Sequence, residues 1–382
     1  MNFTCPRCGN DDPRYFGEKD GIPYCRLCLS YQGKAADSHF RVKEGITLSL
    51  DYPLSPKQEE VSSQVFHLLK QKKNVLIHAV TGAGKTELVY QSMERFLQRR
   101  LHVGFATPRK DVVIDLVPRI QEAFPSADVI ALYGGHTEKI EGDIIVLTTH
   151  QLYRYPQYFD LLILDEIDAF PYRDDPLLHA FFYRSIRGNY VLLSATPSQE
   201  DLEKIKKDNG EVVTLFERYH QHPLPEPEYV KTRSYTAYFQ CLSLLSKFLS
   251  QNSPVFIFVP TIEIGRKLYH FLSLFVRQGA FVSSEEERRK IDIQRFKGKA
   301  LSFLVTTSIL ERGVTVKNLQ VIVFDASHSL YQRATLVQIA GRVGRKIGAE
   351  GGHVYFLADT MTKEIKEAVD EIHSYNRRAH LL

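Results

Sequence analysis

Runs of four or five mostly apolar residues, each followed by a longer amphipathic stretch, recur from residue 54 onward. The first is Val75-Leu76-Ile77-His78-Ala79, followed by a Gly-rich turn and a helical stretch at 85–98; others fall at 103–106, 144–147, 161–164 and 190–193. A strand that is apolar on both faces must be covered on both faces. Helices between successive strands supply that cover in a parallel sheet. Residues 220–227 contain Pro223, Pro225 and Pro227, a stiff extended segment that reads as a domain boundary. After it the alternation restarts, with runs at 255–259, 301–305 and 321–324, a last strand at 352–357 and a charged C-terminal helix. The expected architecture is α/β: two lobes with parallel sheets at 54–222 and 223–382, joined by a Pro-rich hinge and preceded by a small module with its linker at 1–53. A length of 382 residues fits two or three domains, and a hydrophobic fraction of 43% excludes a disordered or fibrous chain.

The small module is defined by its cysteines. Four of the five lie in the first 28 residues, as Cys5-Pro6-Arg7-Cys8, sixteen intervening residues, and Cys25-Arg26-Leu27-Cys28. Each C-x2-C pair directs two thiolates at one point, and two such pairs make the tetrahedral sulfur set that zinc prefers. A reducing compartment argues against two disulfides. Tyr15, Phe16, Tyr24 and Tyr31 could stack on bases, but a segment this small has little else to bury, so a core role is the favoured expectation. Cys241 sits alone in the apolar helical pattern 238–249 and is expected in the core. The 14 histidines are scattered without H-x3-H spacing, so polar or surface roles are expected rather than metal ligation.

The formal net charge is only +4, which disfavours a polybasic binder. Its distribution is uneven: residues 1–230 carry 27 basic and 32 acidic side chains, and residues 231–382 carry 22 and 13. A basic C-terminal portion suits contact with a polyanion. The chain starts without a charged n-region and apolar h-region, and no run of about 18 apolar residues occurs. A soluble cytoplasmic protein is the expectation.

Thr81-Gly82-Ala83-Gly84-Lys85-Thr86 follows a predicted strand and opens a predicted helix, the context a P-loop requires. The glycines let backbone N–H groups turn inward around phosphate oxygens, Lys85 reaches the β/γ-phosphates and Thr86 holds Mg²⁺. Ala79 occupies the position of the first glycine in the strict G-x4-G-K-[ST] pattern. Eighty residues beyond Lys85, the run Leu161-Leu162-Ile163-Leu164 ends in Asp165-Glu166-Ile167-Asp168. Asp165 is placed to hold Mg²⁺ and Glu166 to orient and deprotonate the attacking water. Gln338-Ile339-Ala340-Gly341-Arg342-Val343-Gly344-Arg345 sets two arginines three apart, one helical turn, from which both can face a γ-phosphate.

The order of these motifs resembles the superfamily 2 helicase and translocase family. Leu54-Ser55-Pro56-Lys57-Gln58 is similar to the upstream glutamine motif, Thr107-Pro108-Arg109 to motif Ia and Thr148-Thr149-His150-Gln151 to motif Ib. Asp165-Glu166-Ile167-Asp168 is a variant of the DEAD box, and Ser194-Ala195-Thr196 is similar to motif III. Thr306-Thr307-Ser308-Ile309-Leu310-Glu311-Arg312-Gly313 resembles motif V, and 338–345 motif VI. The resemblance spans roughly residues 54–358 and implies two RecA-like lobes. The four-cysteine module combined with Asp165-Glu166-Ile167-Asp168-Ala169-Phe170-Pro171-Tyr172 and Ile309-Leu310-Glu311-Arg312-Gly313-Val314-Thr315 is similar to the ComFA family of late-competence ATPases. That family drives single-stranded DNA into Gram-positive bacteria during transformation. Primosomal replication-restart helicases share the P-loop style of 81–87 and also bind zinc, but they carry those cysteines within the helicase region and run much longer. Asp168 and Glu311 differ from many DEAD-box RNA helicases, which argues against RNA. Thr315 stands where those helicases place an Asp, so that residue's role is not carried over.

The resemblance implies ATP between the lobes, with Gln58 reading adenine, Lys85, Thr86 and Asp165 holding phosphates and Mg²⁺, and Glu166 activating water. It implies that Gln338 positions that water and that Arg342 and Arg345 cross from the second lobe. Ser194 and Thr196 would couple closure to DNA. Thr107, Arg109, Thr149, Thr261 and Thr307 would contact the backbone of single-stranded DNA without reading sequence. Competence proteins at the cytoplasmic face of the membrane, including ComFC, are the implied partners. Any membrane association would come through them, and a homo-oligomer stays open. Three functions remain in view: a single-stranded DNA translocase, a duplex-unwinding helicase, and a non-motor ATP-dependent switch whose cysteine module docks a partner.

Overall fold

The computed structural model describes residues 3–233, 235–286, 288–307, 316–345 and 348–380. These divide into two compact units, Met1–Ala79 with Gly84–Leu215, and Val80–Ala83 with Phe216–Leu382.

The first unit opens on an antiparallel hairpin, β1 (Phe16–Lys19) and β2 (Ile22–Cys25). Helix α1 (Pro56–Lys70) follows an extended segment. Ser55 caps it, accepting from the N–H of Gln58 while the Gln58 side chain accepts from the N–H of Ser55, and Pro56 occupies the first turn where no N–H is needed. The chain then alternates through β3 (Asn74–Ala79), α2 (Tyr90–Leu97), β4 (Val103–Thr107), α3 (Lys110–Ala123), β5 (Val129–Leu132), β6 (Ile144–Thr148), β7 (Phe159–Asp165), α4 (Pro176–Ser185), β8 (Ile186–Ser194), α5 (Gln199–Lys207) and β9 (Gly210–Leu215). The sheet order is β5-β6-β4-β7-β8-β3-β9, and each neighbouring pair is parallel.

The second unit runs β10 (Glu228–Lys231), α6 (Thr236–Ser250), β11 (Val255–Phe258), α7 (Ile262–Ser273), β12 (Gly279–Val282), α8 (Arg289–Lys297), β13 (Phe303–Thr306), β14 (Gln320–Phe324), α9 (Arg333–Ala340), β15 (Val354–Ala358) and α10 (Lys363–Arg378). Its sheet order is β10-β15-β14-β11-β13-β12, again parallel throughout. Cys241 is fully buried in the core of this unit, as its helical pattern implies. No helix among the described residues is long and apolar enough to cross a membrane.

The helix expected at 85–98 starts late. Glu87–Val89 form a tighter 3₁₀ turn, in which the N–H groups of Glu87 and Leu88 both reach back to the carbonyl of Gly84, and α2 begins only at Tyr90.

The cysteine segment is part of the first unit's core. All four cysteines share an apolar cluster with Tyr155, Leu178 and Phe181. Tyr31 lies edge-on to Phe181 at 4.8 Å and to Tyr153 at 5.6 Å, and the Tyr153 hydroxyl donates to the carbonyl of Gln32 at 2.8 Å. Arg184 donates to the carbonyl of Pro6 at 2.6 Å, and Arg154 to that of Lys34 at 2.9 Å. Tyr31 therefore takes the core role, and Phe16 packs edge-on against Phe3. Tyr15 is exposed. Phe181→Ala should cost about 3–5 kcal/mol of first-unit stability in urea unfolding. It should also expose residues 30–53 to limited proteolysis, because Phe181 is the floor on which Tyr31 rests.

Candidate functional site

In the first unit, parallel pairing lines up the ends of three strands. Asp165 of β7 lies opposite Leu193 of β8, and Leu193 lies opposite Ile77 of β3. The P-loop leaving β3, the acidic box leaving β7 and the Ser194-Ala195-Thr196 turn leaving β8 thus share the carboxyl edge of one sheet, where ligands bind in open parallel folds. Within the loop, Gly82 and Gly84 have φ of +86° and +77°, which only glycine adopts without strain. A Cβ on Gly84 would also collide with the Gln58 amide nitrogen. Lys85 folds back to donate to the carbonyl of Ala79 at 3.1 Å, and Thr86 and Asp165 are both buried. In the second unit, the Thr81 hydroxyl donates to the carbonyl of Gly341 at 3.4 Å.

Asp165 accepts from the N–H of Glu166 at 2.8 Å. Glu166 itself sits at φ +58°, a left-handed conformation that costs a non-glycine residue roughly 1–2 kcal/mol and marks functional turns. Asp168 takes one hydroxyl on each carboxylate oxygen, from Ser194 at 3.1 Å and from Thr196 at 3.0 Å. The Thr196 N–H donates to Ser194 Oγ at 3.1 Å. The acidic box and the Ser-Ala-Thr turn are one hydrogen-bonded piece. Gln58 is buried, and its side-chain carbonyl is engaged by the N–H of Ser55 at 2.9 Å, so its amide group faces the P-loop at Gly84.

One group at this edge was not legible in the motifs. Glu87, buried directly behind Thr86, accepts from Arg119 at 2.8 Å and from the Tyr52 hydroxyl at 3.2 Å. Burial, with Glu87 alongside, pushes the Tyr52 phenol up to about 12, so it stays a proton donor. This trio ties the turn after the P-loop to α3. The only sequence signal was an acid inside an apolar helical stretch.

Two expected nucleic-acid contacts are corrected. Thr107 and Thr149 are both 0% exposed, because they close adjacent strands β4 and β6, where residues 149–154 fold over the edge as a 3₁₀ segment. Their hydroxyls cannot touch a strand. Accessible groups at the same edge include half-buried Arg109, at the start of α3, and the Tyr133-Gly134-Gly135-His136 turn after β5. There the Lys110 ammonium lies 4.6 Å over the Tyr133 ring, and His136 stacks on that ring at 5.0 Å. A Gly-Gly turn after a short alternating strand was the missed signal. In the second unit, half-buried Thr261 caps α7 by accepting from the N–H of Ile264 at 3.2 Å, and the half-buried Thr307 carbonyl accepts from the Thr306 hydroxyl at 3.0 Å. The remainder of motif V, 308–315 with Glu311 and Thr315, lies outside the described residues.

Gln338 is buried on α9, but the two arginines are not on a helix. Helix α9 ends at Ala340, and Arg342 and Arg345 follow in turns shaped by Gly344 at φ +67°. Arg342 is buried. Arg345 Nε donates to the carbonyl of Gly341 at 2.9 Å.

The four cysteine sulfurs all lie within 4.8 Å of one another, with Cys5–Cys28 at 3.5 Å and Cys8–Cys25 at 3.8 Å. A tetrahedron of Zn–S bonds near 2.3 Å spaces its sulfurs about 3.8 Å apart, so the cluster fits such an ion. Burial, reinforced by the neighbouring thiols, pushes Cys8 up to about 11 and Cys28 well above the usual thiol range. Four buried sulfurs of this kind hold protons until a cation displaces them.

Comparison with known proteins agrees with this layout. Residues 51–199 match the family model of the type III restriction enzyme res subunit, and 240–347 match the helicase conserved C-terminal domain. The chain is 35% identical to the competence protein ComFA of Bacillus subtilis over 99% of its own length and 86% of that protein's. It is 34% identical to ComFA of Streptococcus pneumoniae, over 99% and 91%. The replication restart protein PriA of Bacillus subtilis matches at 25% over 47% of this chain and 25% of that one. In three dimensions the chain is similar to yeast Dbp5 bound to RNA and ADP BeF3, with a TM-score of 0.64, 19% identity and coverage of 86% and 93%. That likeness establishes two RecA-like helicase lobes, and the helicase domains mark a nucleoside-triphosphate-hydrolysing enzyme. The cysteine geometry carries its own expectation: metal analysis finds one zinc per chain, and Cys28→Ser abolishes it. Chelation should lower the melting temperature, since the ion would close a cluster continuous with the first unit's core.

Proposed function

The chain belongs to the ComFA family of competence proteins, and we propose that it is an ATP-driven translocase that pulls single-stranded DNA inward during transformation. The observation that carries this reading is the shared carboxyl edge of the first sheet, where a P-loop, an acid pair and the Asp168–Ser194–Thr196 link stand together. Lys85 binds the β/γ-phosphates of ATP. Thr86 and Asp165 hold Mg²⁺, whose chemistry is to neutralise phosphate charge. Glu166 accepts a proton from the attacking water, which Gln338 orients, and Arg342 and Arg345 stabilise charge developing on the γ-phosphate. Catalysis of this kind is mostly positioning and charge stabilisation. Gln58 reads adenine with the amide that faces the P-loop.

DNA is gripped through its phosphates by Arg109, Lys110, Thr261 and Thr307, with Tyr133 and His136 offering ring faces to bases. Asp168 hands the state of the acidic box to Ser194 and Thr196, so that hydrolysis and strand movement proceed together. The cysteine cluster holds zinc and braces the first lobe. ComFC and other competence proteins at the cytoplasmic membrane face are the partners.

Displacement of streptavidin from one end of biotinylated single-stranded DNA tests the reading: ATP-dependent displacement from one end only is expected, and none from either end would count against a motor. Glu166→Gln should keep ATP and DNA binding while hydrolysing at least about a hundredfold more slowly, the usual weight of general-base catalysis. Near-normal turnover would remove Glu166 from that role. Ser194→Ala with Thr196→Ala should retain basal hydrolysis and lose displacement.

A further inference from the structure

The segment that follows β9 carries Arg218, Tyr219 and His220, and all three side chains are spent on one stretch of backbone in the second unit. Arg218 is 1% exposed, and its Nη1 donates to the carbonyls of Val343 at 2.9 Å and Gly344 at 3.0 Å. Its Nη2 donates to the carbonyl of Gly341 at 3.3 Å. The Tyr219 hydroxyl donates to the carbonyl of Arg345 at 2.9 Å, and His220 Nε2 to that of Gly344 at 2.8 Å. Three consecutive side chains thus hold the carbonyls of the turn that bears Arg342 and Arg345. Gly344 is left-handed there, which lets its carbonyl take two donors.

The choice of residue is informative. A buried arginine ordinarily pairs with a carboxylate. Among the described residues Arg218 has none: its acceptors are carbonyls. Burial, with the charge of Arg345 alongside, pushes its guanidinium down to about 9, so it remains charged at neutral pH. Packing alone would be served by a methionine or leucine. A rigid fork of donors is needed to fix several carbonyls at once, which lysine cannot do. Carbonyl directions set the backbone dihedrals of the turn, and those set where the two arginine side chains depart.

We propose that Arg218 is a positioning residue for ATP hydrolysis, clamping the turn after α9 so that Arg342 and Arg345 are presented to the γ-phosphate. The inference rests on the catalytic role given above to those two arginines, and the test separates the two ideas. Steady-state kinetics, fluorescent-nucleotide affinity and thermal melting would be measured on the full chain for Arg218→Met, Arg218→Lys, Arg342→Ala, Arg345→Ala and the Arg218→Met/Arg342→Ala double variant. Arg218→Met should lower kcat at least about tenfold with nucleotide affinity within about threefold, as expected when transition-state contacts alone are lost. Arg218→Lys should not restore kcat, and the double variant should be no slower than Arg342→Ala. If Arg342→Ala and Arg345→Ala are slow but Arg218→Met turns over normally, or if the deficits multiply, the clamp is wrong while the arginine role stands. If both arginine variants turn over normally, the arginine role fails and the clamp with it. Should Arg218→Met not fold, Tyr219→Phe with His220→Leu removes two of the five bonds and decides the matter. A reduced kcat at unchanged nucleotide affinity supports the clamp, and a wild-type kcat overturns it.

Discussion

Parallel strand pairing is the constraint on which the rest depends. Antiparallel neighbours would put successive turns at opposite edges of a sheet. In the first unit, parallel neighbours deliver the P-loop, the acidic box and the Ser-Ala-Thr turn to one edge, in register to the residue. The sheet can be parallel because its central strands are apolar on both faces and helices cover them. The site chemistry is then local: Asp168 ties two strand ends together through two hydroxyls, and Glu87 with Arg119 and Tyr52 braces the turn behind Thr86. The strained backbone at Glu166 sits between these two anchored pieces.

What could be read from the residues follows from the same physics. The strands anticipated in the two lobes, β3, β4, β6, β7, β8, β11, β13, β14 and β15, are all central, and nearly all of their residues are buried. Those missed, β5, β9, β10 and β12, are the edges of the two sheets. An edge strand has one solvated side and shows an interrupted pattern, as in Val129–Leu132 and Glu228–Lys231, so a search for continuous apolar runs passes over it. The P-loop, the acid pair and the cysteine cluster were legible because each depends on spacing along the chain. Thr107 and Thr149 were misjudged because motif position says nothing of burial. The Arg342/Arg345 pair was placed on a helix because a three-residue spacing suits one, whereas Gly341 and Gly344 end the helix and form turns. Arg218 carried no sequence signal, since its partners are backbone atoms more than a hundred residues away.

The cysteine segment changes meaning once its packing is known. Its charge balance and size suggest an independent module, yet its sulfurs, Tyr31, Arg154 and Arg184 knit it to residues 149–154 and to α4. A metal ion there would stabilise a lobe surface beside the motif Ib segment. That arrangement connects the ion to the first lobe's integrity and does not require the module to bind anything of its own.

The central claim is an ATPase engine governed by single-stranded DNA. It is tested most directly by steady-state ATP hydrolysis without polynucleotide and with single-stranded DNA, duplex DNA or single-stranded RNA at matched nucleotide concentration. The account expects strong, salt-sensitive stimulation by single-stranded DNA, with duplex DNA and RNA leaving hydrolysis near its basal rate. Equal stimulation by RNA, or hydrolysis indifferent to every polynucleotide, would contradict it.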